Sequence, residues 1–246
     1  ATTSPQYDAT CAGTTYPRYL AWTAAGDAAY PSAQMIHDVG CLATLGTGGC
    51  GYEQHLEATY QALTTHLVRD GLNNSPTTGD FLRPNSLLVI ITLADEDDCS
   101  ALDYSLFSDP SLGTANLRCT NHPEYLYPTE RYRVGFVQDI VPRHAIRRIV
   151  LADIVGIPLD LSGRNPSDML PDPRMTPMVD PSRPGFLLPA CDAGGAGHAD
   201  PARRLLEVLG PYYDVDNAVA HSICSSDFSP AIDTVTRLIT AHLTGR

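Results

Sequence analysis

The chain has 246 residues, 43% of them hydrophobic, which is enough for one large domain with a real core. Its formal net charge is −12 and all 16 basic residues are arginine. It therefore lacks the basic footprint that nucleic acid or an anionic membrane surface requires, and a cation or a basic partner fits better.

The opening to Ile36 is dense in Ala, Thr, Tyr and Pro and predicts no regular element. From Gly51 the spacing changes. Tyr52, Leu56, Tyr60, Leu63 and Leu67 recur at helical period, and Asp70-Gly71 closes the segment. A turn-rich connection leads to "LLVIITLADEDDCS", Leu87 to Ser100. Its apolar run to Ala94 predicts a strand buried on both faces, as in a parallel sheet. The run then meets four consecutive carboxylates, Asp95, Glu96, Asp97 and Asp98.

Residues 128–140, opened by Pro128, read as a helix, and Ile146 to Pro158 as a second strand, so helix and strand alternate as in an α/β fold. From Gly156 to Pro201 there are nine prolines, which predicts a long irregular excursion. Ala199 to Gly210 reads as a helix with Asp200 as its N-cap. The closing segment reads as another, with Ser229 as N-cap and Ile232, Val235, Leu238, Ile239 and Leu243 as its core stripe.

Seven cysteines lack the paired CxxC spacing of a structural zinc site and read as a disulfide framework, which places the protein outside the cytoplasm. Pairing neighbours in sequence gives Cys41–Cys50, Cys99–Cys119 and Cys191–Cys224, and leaves Cys11 over. No apolar run is long enough to span a bilayer, and no signal peptide is visible at Ala1, so the chain is expected to start after processing or to be incomplete.

The chemistry-bearing signals are few. The eight histidines are scattered, there is no G-x-S-x-G elbow, and "GTGGCG" lacks both the lysine of a P-loop and the order of a dinucleotide site. The acidic run is the exception. Its carboxylates offer hard oxygen ligands whose mutual repulsion Mg²⁺ or Ca²⁺ would relieve, the structural alternative being helix capping or pairing with Arg118 or Arg131.

Four stretches, "GTGGCGYEQHLEATYQAL", "FLRPNSLLVIITLADEDDCS", "LRCTNHPEYLYPTERY" and "HSICSSDFSPAID", together resemble the von Willebrand factor A-like secreted or lipid-anchored proteins of myxobacteria and related bacteria, from about Gly40 onward. The resemblance implies a single domain with a Rossmann-type, mostly parallel sheet flanked by helices, carrying long disulfide-bonded loops. It also implies a metal-ion-dependent adhesion site at the carboxyl edge of the sheet. Asp95 stands where that family's later metal aspartate would, with Thr47 as a substitute for the loop threonine, whose own place Cys50 takes, and with Asp97 as a further candidate. The DxSxS loop is absent; Asp160 to Arg164 is the nearest string and does not precede a helix.

Three functions are thereby in view: an extracellular binding or adhesion module, a structural subunit of a secreted assembly with a degenerate metal site, and a Mg²⁺-dependent enzyme. The first is favoured. The strand at Leu87 to Ala94 is further expected to need a neighbour, supplied by an N-terminal fragment of the same precursor or another subunit, the rival reading being that the opening segment Thr14 to Ile36 contributes it; the resemblance also allows a lipid anchor upstream.

Overall fold

The parallel sheet is built around a strand with no polar face. β2, Ile149–Val155, is buried along its whole length, because it has a strand on either side and helices above and below. β1, Leu88–Leu93, pairs with it in parallel register, Leu88 beside Ile149 and Leu93 beside Ile154. β5, Ala218–Ser222, pairs in parallel on the other side. The order is β1-β2-β5, and a separate two-stranded ribbon joins β3, Cys191–Asp192, to β4, His198–Ala199. These relations come from a computed structural model that describes residues 11, 19–22, 25–28, 30–44, 49, 51–66, 69, 71, 81–83, 86–139 and 148–244.

The chain divides into two compact units, Ala1–Tyr52 and Glu53–Arg246. The first contains helix α1, Ser32–Ala43, tied by a disulfide between Cys11 and Cys41. Among its described residues the second contains the sheet and four longer helices. They are α2, His55–Gln61, continued as a π-helical turn to His66; α3, Thr129–Gln138; α4, Arg203–Tyr213; and α5, Ser229–Thr244.

Alternation along β2 explains the layers. Ile149, Leu151 and Val155 face a core shared with Leu56 of α2, Tyr132 and Phe136 of α3, and Leu205 and Leu209 of α4. Ala152 faces the opposite way, onto Val235 of α5, with Val219, Val89, Leu238 and Ile239 around it. Helices on both faces of a parallel sheet make the fold α/β.

Two close approaches fix the connections. A Cβ at Gly156 would lie 1.8 Å from the carbonyl oxygen of Asp200, so only glycine lets the end of β2 pass beneath residues 200–202. A Cβ at Gly135 of α3 would meet the Tyr60 ring at 2.7 Å. The same helix pair is tied by Arg131, which bonds Glu57 at 3.1 and 3.2 Å while stacking on Tyr60 and Tyr127.

Several expectations are corrected. Among the described residues β1 is an edge strand, and it is not buried on both faces: Ile91 and Leu93 are 49% and 63% exposed. An apolar run signals burial only on average; here α5 covers β2 and β5 but leaves the outer residues of β1 open. The helix expected at Ala199 starts at Arg203, with Ala202 and not Asp200 at the cap position. In α5, Ala231 and Val235 are buried, whereas Ile232 and Leu243 of the expected stripe are exposed. Cys41 bonds Cys11 and not Cys50, so Cys11 is not left over; Cys99–Cys119 and Cys191–Cys224 form as expected. Cys50 and Thr47 lie outside the described residues.

Candidate functional site: the acidic loop at the carboxyl edge of the sheet

β1 and β2 run parallel, so their carboxyl ends lie at the same edge of the sheet, and the acidic loop leaves β1 there. Residues 200–202 cross this edge: the Asp200 N–H donates to Asp95 O at 2.8 Å, and the Ala202 N–H to Gly156 O at 3.0 Å. That crossing delivers the first turn of α4 onto the loop. The first turn of α2 arrives from the other side, where the Cys99 N–H donates to Glu53 O at 2.7 Å.

The loop divides its carboxylates between two tasks. Asp97 accepts the Arg204 N–H on both oxygens, at 3.1 and 3.0 Å, and the Leu205 N–H at 3.4 Å, so it caps α4 from 107 residues away. Burial pushes its carboxyl up to about 7, against the pull of the N–H groups of Arg204 and Asp98. Asp98 is fully buried and accepts the Leu56 N–H of α2 at 2.9 Å, the Ser100 hydroxyl at 2.6 Å and the Arg204 guanidinium at 3.1 Å. Ser100 completes the cap by accepting the Glu57 N–H at 2.9 Å. Each helix N-terminus thus meets an acidic side chain, as its unsatisfied N–H groups and dipole favour.

The arginines named from sequence act elsewhere. Arg131 holds Glu57, and Arg118 donates to the carbonyls of Gly113, Leu106 and Phe107. Arg204, which sequence reasoning missed, is the residue that answers the acidic loop. The signal that would have found it is the double arginine opening an amphipathic helix after a crossing "ADP" segment.

Asp95 and Glu96 remain at the surface. Although Glu96 as a whole is exposed, its carboxyl is hemmed in and pushed up to about 8, by desolvation first and then by a hydrogen bond and repulsion from Glu53, with Asp200 and Asp95 adding to it. The Asp200 carboxyl is also raised, by burial first. Among the described residues this edge gathers Glu53, Asp95, Glu96 and Asp200, with His198 and Arg183 the cations that act on Asp200. Beneath it, Asp153 of β2 is 6% exposed and stands beside Thr92 of β1 in the register. Burial pushes its carboxyl up to about 7. It lines a cavity of about 10 Å³ with Thr92, Thr59 and His55, room for a single water, and the buried His55 Nδ1 has no hydrogen-bond partner among the described residues.

Of the three residues singled out as metal ligands, the structure therefore puts Asp95 at the exposed edge and Asp97 on a helix N-terminus, and Thr47 is not described. Among the described residues, one set of three or more His, Cys or carboxylate donors converges within 4.8 Å, and it lies in the first unit: Cys11, His37 and Cys41. No helix of the described residues is long and apolar enough to cross a membrane. With the α/β class and its acidic edge defined, comparisons with family models, curated proteins and solved structures gave no match to the chain.

Proposed function

We propose that the chain is an extracytoplasmic binding or adhesion module of the von Willebrand factor A-like type, which meets its ligand through Mg²⁺ or Ca²⁺ at Asp95 and is not an enzyme. The observation that carries this reading is the strand order. Three parallel strands in the order β1-β2-β5, with helices on both faces, correspond to one half of a doubly wound sheet, and the outermost strand runs straight into the acidic loop. Open α/β sheets bind ligands outside the carboxyl ends of their strands.

Asp95 and Glu96 are the two loop carboxylates not spent on helix N-termini, and a divalent cation would relieve their crowding with Glu53 and Asp200. Three disulfides support a location outside the cytoplasm. The open edge supports a protein partner: no strand among the described residues pairs with the outer side of β1, so a strand from an N-terminal fragment or another subunit would complete the sheet, and Ile91 and Leu93, exposed on the α5-side face of β1, leave apolar surface for it to cover.

The test is calorimetric titration of Mg²⁺ and Ca²⁺ into the chain and into Asp95→Ala. Binding lost in the variant supports the reading, and identical titrations reject it. A structural subunit with a degenerate metal site is the second reading, favoured by the commitment of Asp97 and Asp98 to helix caps. It predicts no cation binding to either chain, while polar replacement of Ile91 and Leu93 still abolishes assembly in native mass spectrometry.

A further inference from the structure

We propose that Cys11, His37 and Cys41 form a thiol-gated site for a tetrahedral, thiolate-preferring cation such as Zn²⁺, closed while the cysteines are bonded and opened by reduction. The proposal concerns the first unit alone and does not depend on the reading of the acidic edge.

Its basis is the geometry of α1. His37 and Cys41 are four residues apart on one helix, so their side chains stand one turn above the other on the same face. The His37 ring nitrogens lie 3.7 and 3.8 Å from Cys41 Sγ. In a tetrahedral zinc site, Zn–S of about 2.3 Å and Zn–N of about 2.0–2.1 Å put sulfur and nitrogen ligands roughly 3.6 Å apart. The ring thus already stands at ligand separation from the sulfur. Cys11 supplies the second sulfur from a distant stretch of chain, with a Cα–Cα distance of 5.6 Å to Cys41. Two freed thiolates need only side-chain rotation to move apart to the ~3.8 Å that tetrahedral coordination requires.

A second, independent feature points the same way. Metal-binding histidines commonly donate their other ring N–H to a carboxylate that fixes the ring. Here Asp38 Oδ1 lies 3.2 Å from His37 Nδ1, and Asp38 is itself held by Gln34 Nε2 at 2.7 Å and by the Tyr30 hydroxyl.

The chemistry balances with a thiol as reductant. Two equivalents of R–SH deliver two electrons and two protons to the Cys11–Cys41 bond, giving two protein thiols and R–S–S–R. Zn²⁺ then displaces the two thiol protons and takes His37 as its third ligand, which leaves a fourth position to solvent. The oxidised chain holds no such ion, because bonded sulfurs have no thiolate to offer. The site therefore reports the redox state of its surroundings.

The test uses the full chain, reduced with a trialkylphosphine that is then removed without oxygen. Stoichiometric Zn²⁺ is added, and alkylation is followed cysteine by cysteine by peptide mapping. Zn²⁺ is expected to protect Cys11 and Cys41 together and to leave the other five unprotected. Co²⁺ in its place should give a thiolate charge-transfer band. In His37→Ala the protection should be lost, and in Asp38→Asn the affinity should fall about 10–100-fold. If Cys11 and Cys41 alkylate with Zn²⁺ as fast as without it, or if His37→Ala protects them as the parent does, the proposal is overturned. Collapse of the reduced chain would expose these two with the rest and count against it equally.

Discussion

Arg204 answers Asp98 twice over: its Nε and Nη2 lie 3.2 and 3.1 Å from the buried Asp98 Oδ2, while its backbone N–H caps onto the neighbouring Asp97. Because Asp98 also takes the Leu56 N–H, one side chain joins the start of α4 to the start of α2. Removing either partner leaves the other a desolvated charge without its opposite, with only neutral hydrogen bonds to Leu56 and Ser100 or to the Tyr127 carbonyl remaining. Asp98→Ala and Arg204→Ala should each cost about 3–5 kcal/mol in denaturant unfolding. Asp95→Ala, at the exposed edge, should change stability by less than about 0.5 kcal/mol. Equal losses at Asp95 and Asp98 would refute the division of labour within the loop.

The crossing of residues 200–202 over Gly156 makes a steric prediction. Gly156→Ala should destabilise by about 1–3 kcal/mol or more, because its Cβ would fall 1.8 Å from a backbone oxygen that cannot rotate away. Gly210, inside α4, meets nothing within 4 Å, and Gly210→Ala should stabilise by about 0.5–1 kcal/mol. Thermal unfolding of the two variants should move in opposite directions.

The crowded carboxyls set a pH dependence with a definite sign. Asp153 is pushed up to about 7, chiefly by burial, and Glu96 to about 8, by desolvation and then Glu53. Both titrate near pH 4 in an unfolded chain. An acid whose pKa is raised by folding binds its proton more tightly in the native state, so the native state is favoured at low pH and loses that advantage as pH rises through the folded value. The melting temperature should therefore fall from about pH 4, where the unfolded carboxyls lose their protons, to about pH 8, and level off above it. Glu96→Gln should flatten the upper part of that fall and Asp153→Asn the lower part. A melting temperature that rises over this interval would contradict the assignment.

Peptide mapping without reductant should return Cys11–Cys41, Cys99–Cys119 and Cys191–Cys224. Replacing Cys99 and Cys119 by serine should cost about 2–4 kcal/mol. The bond follows Asp98 directly in the chain, so the variant should also loosen the acidic loop, read as faster amide exchange at Leu56 and Arg204.

How much of this was legible in the sequence follows from the range of each signal. β1, β2, α3 and the start of α5 announce themselves through local composition, and all four stand within a few residues of expectation. β5 does not. "AVAHS" holds little that is β-branched, and it becomes a strand by lying against β2, whose burial it completes. An apolar run cannot say whether a strand is central or at an edge, so β1 was read as buried on both faces. Cys11 and Cys41 are 30 residues apart, and pairing by nearness chose Cys50 instead. The acidic loop was visible as a place, but not its use, since the donors that engage Asp97 and Asp98 come from Leu56 and Arg204, far away in the chain.

That remoteness has a kinetic side. Until α4 has formed and packed against the sheet, Asp97 and Asp98 face their acidic neighbours without the Arg204 guanidinium and the α4 N–H groups that later answer them. A half-assembled chain carries a local knot of like charge at the spot where two helices must converge, and closing so long a loop is slow in its own right. Dissolved salt, which weakens repulsion between exposed charges more than it weakens a buried contact, speeds the approach while leaving the finished cap largely intact. The loop that locks the mature protein together is thus also expected to slow its folding, most of all at low salt.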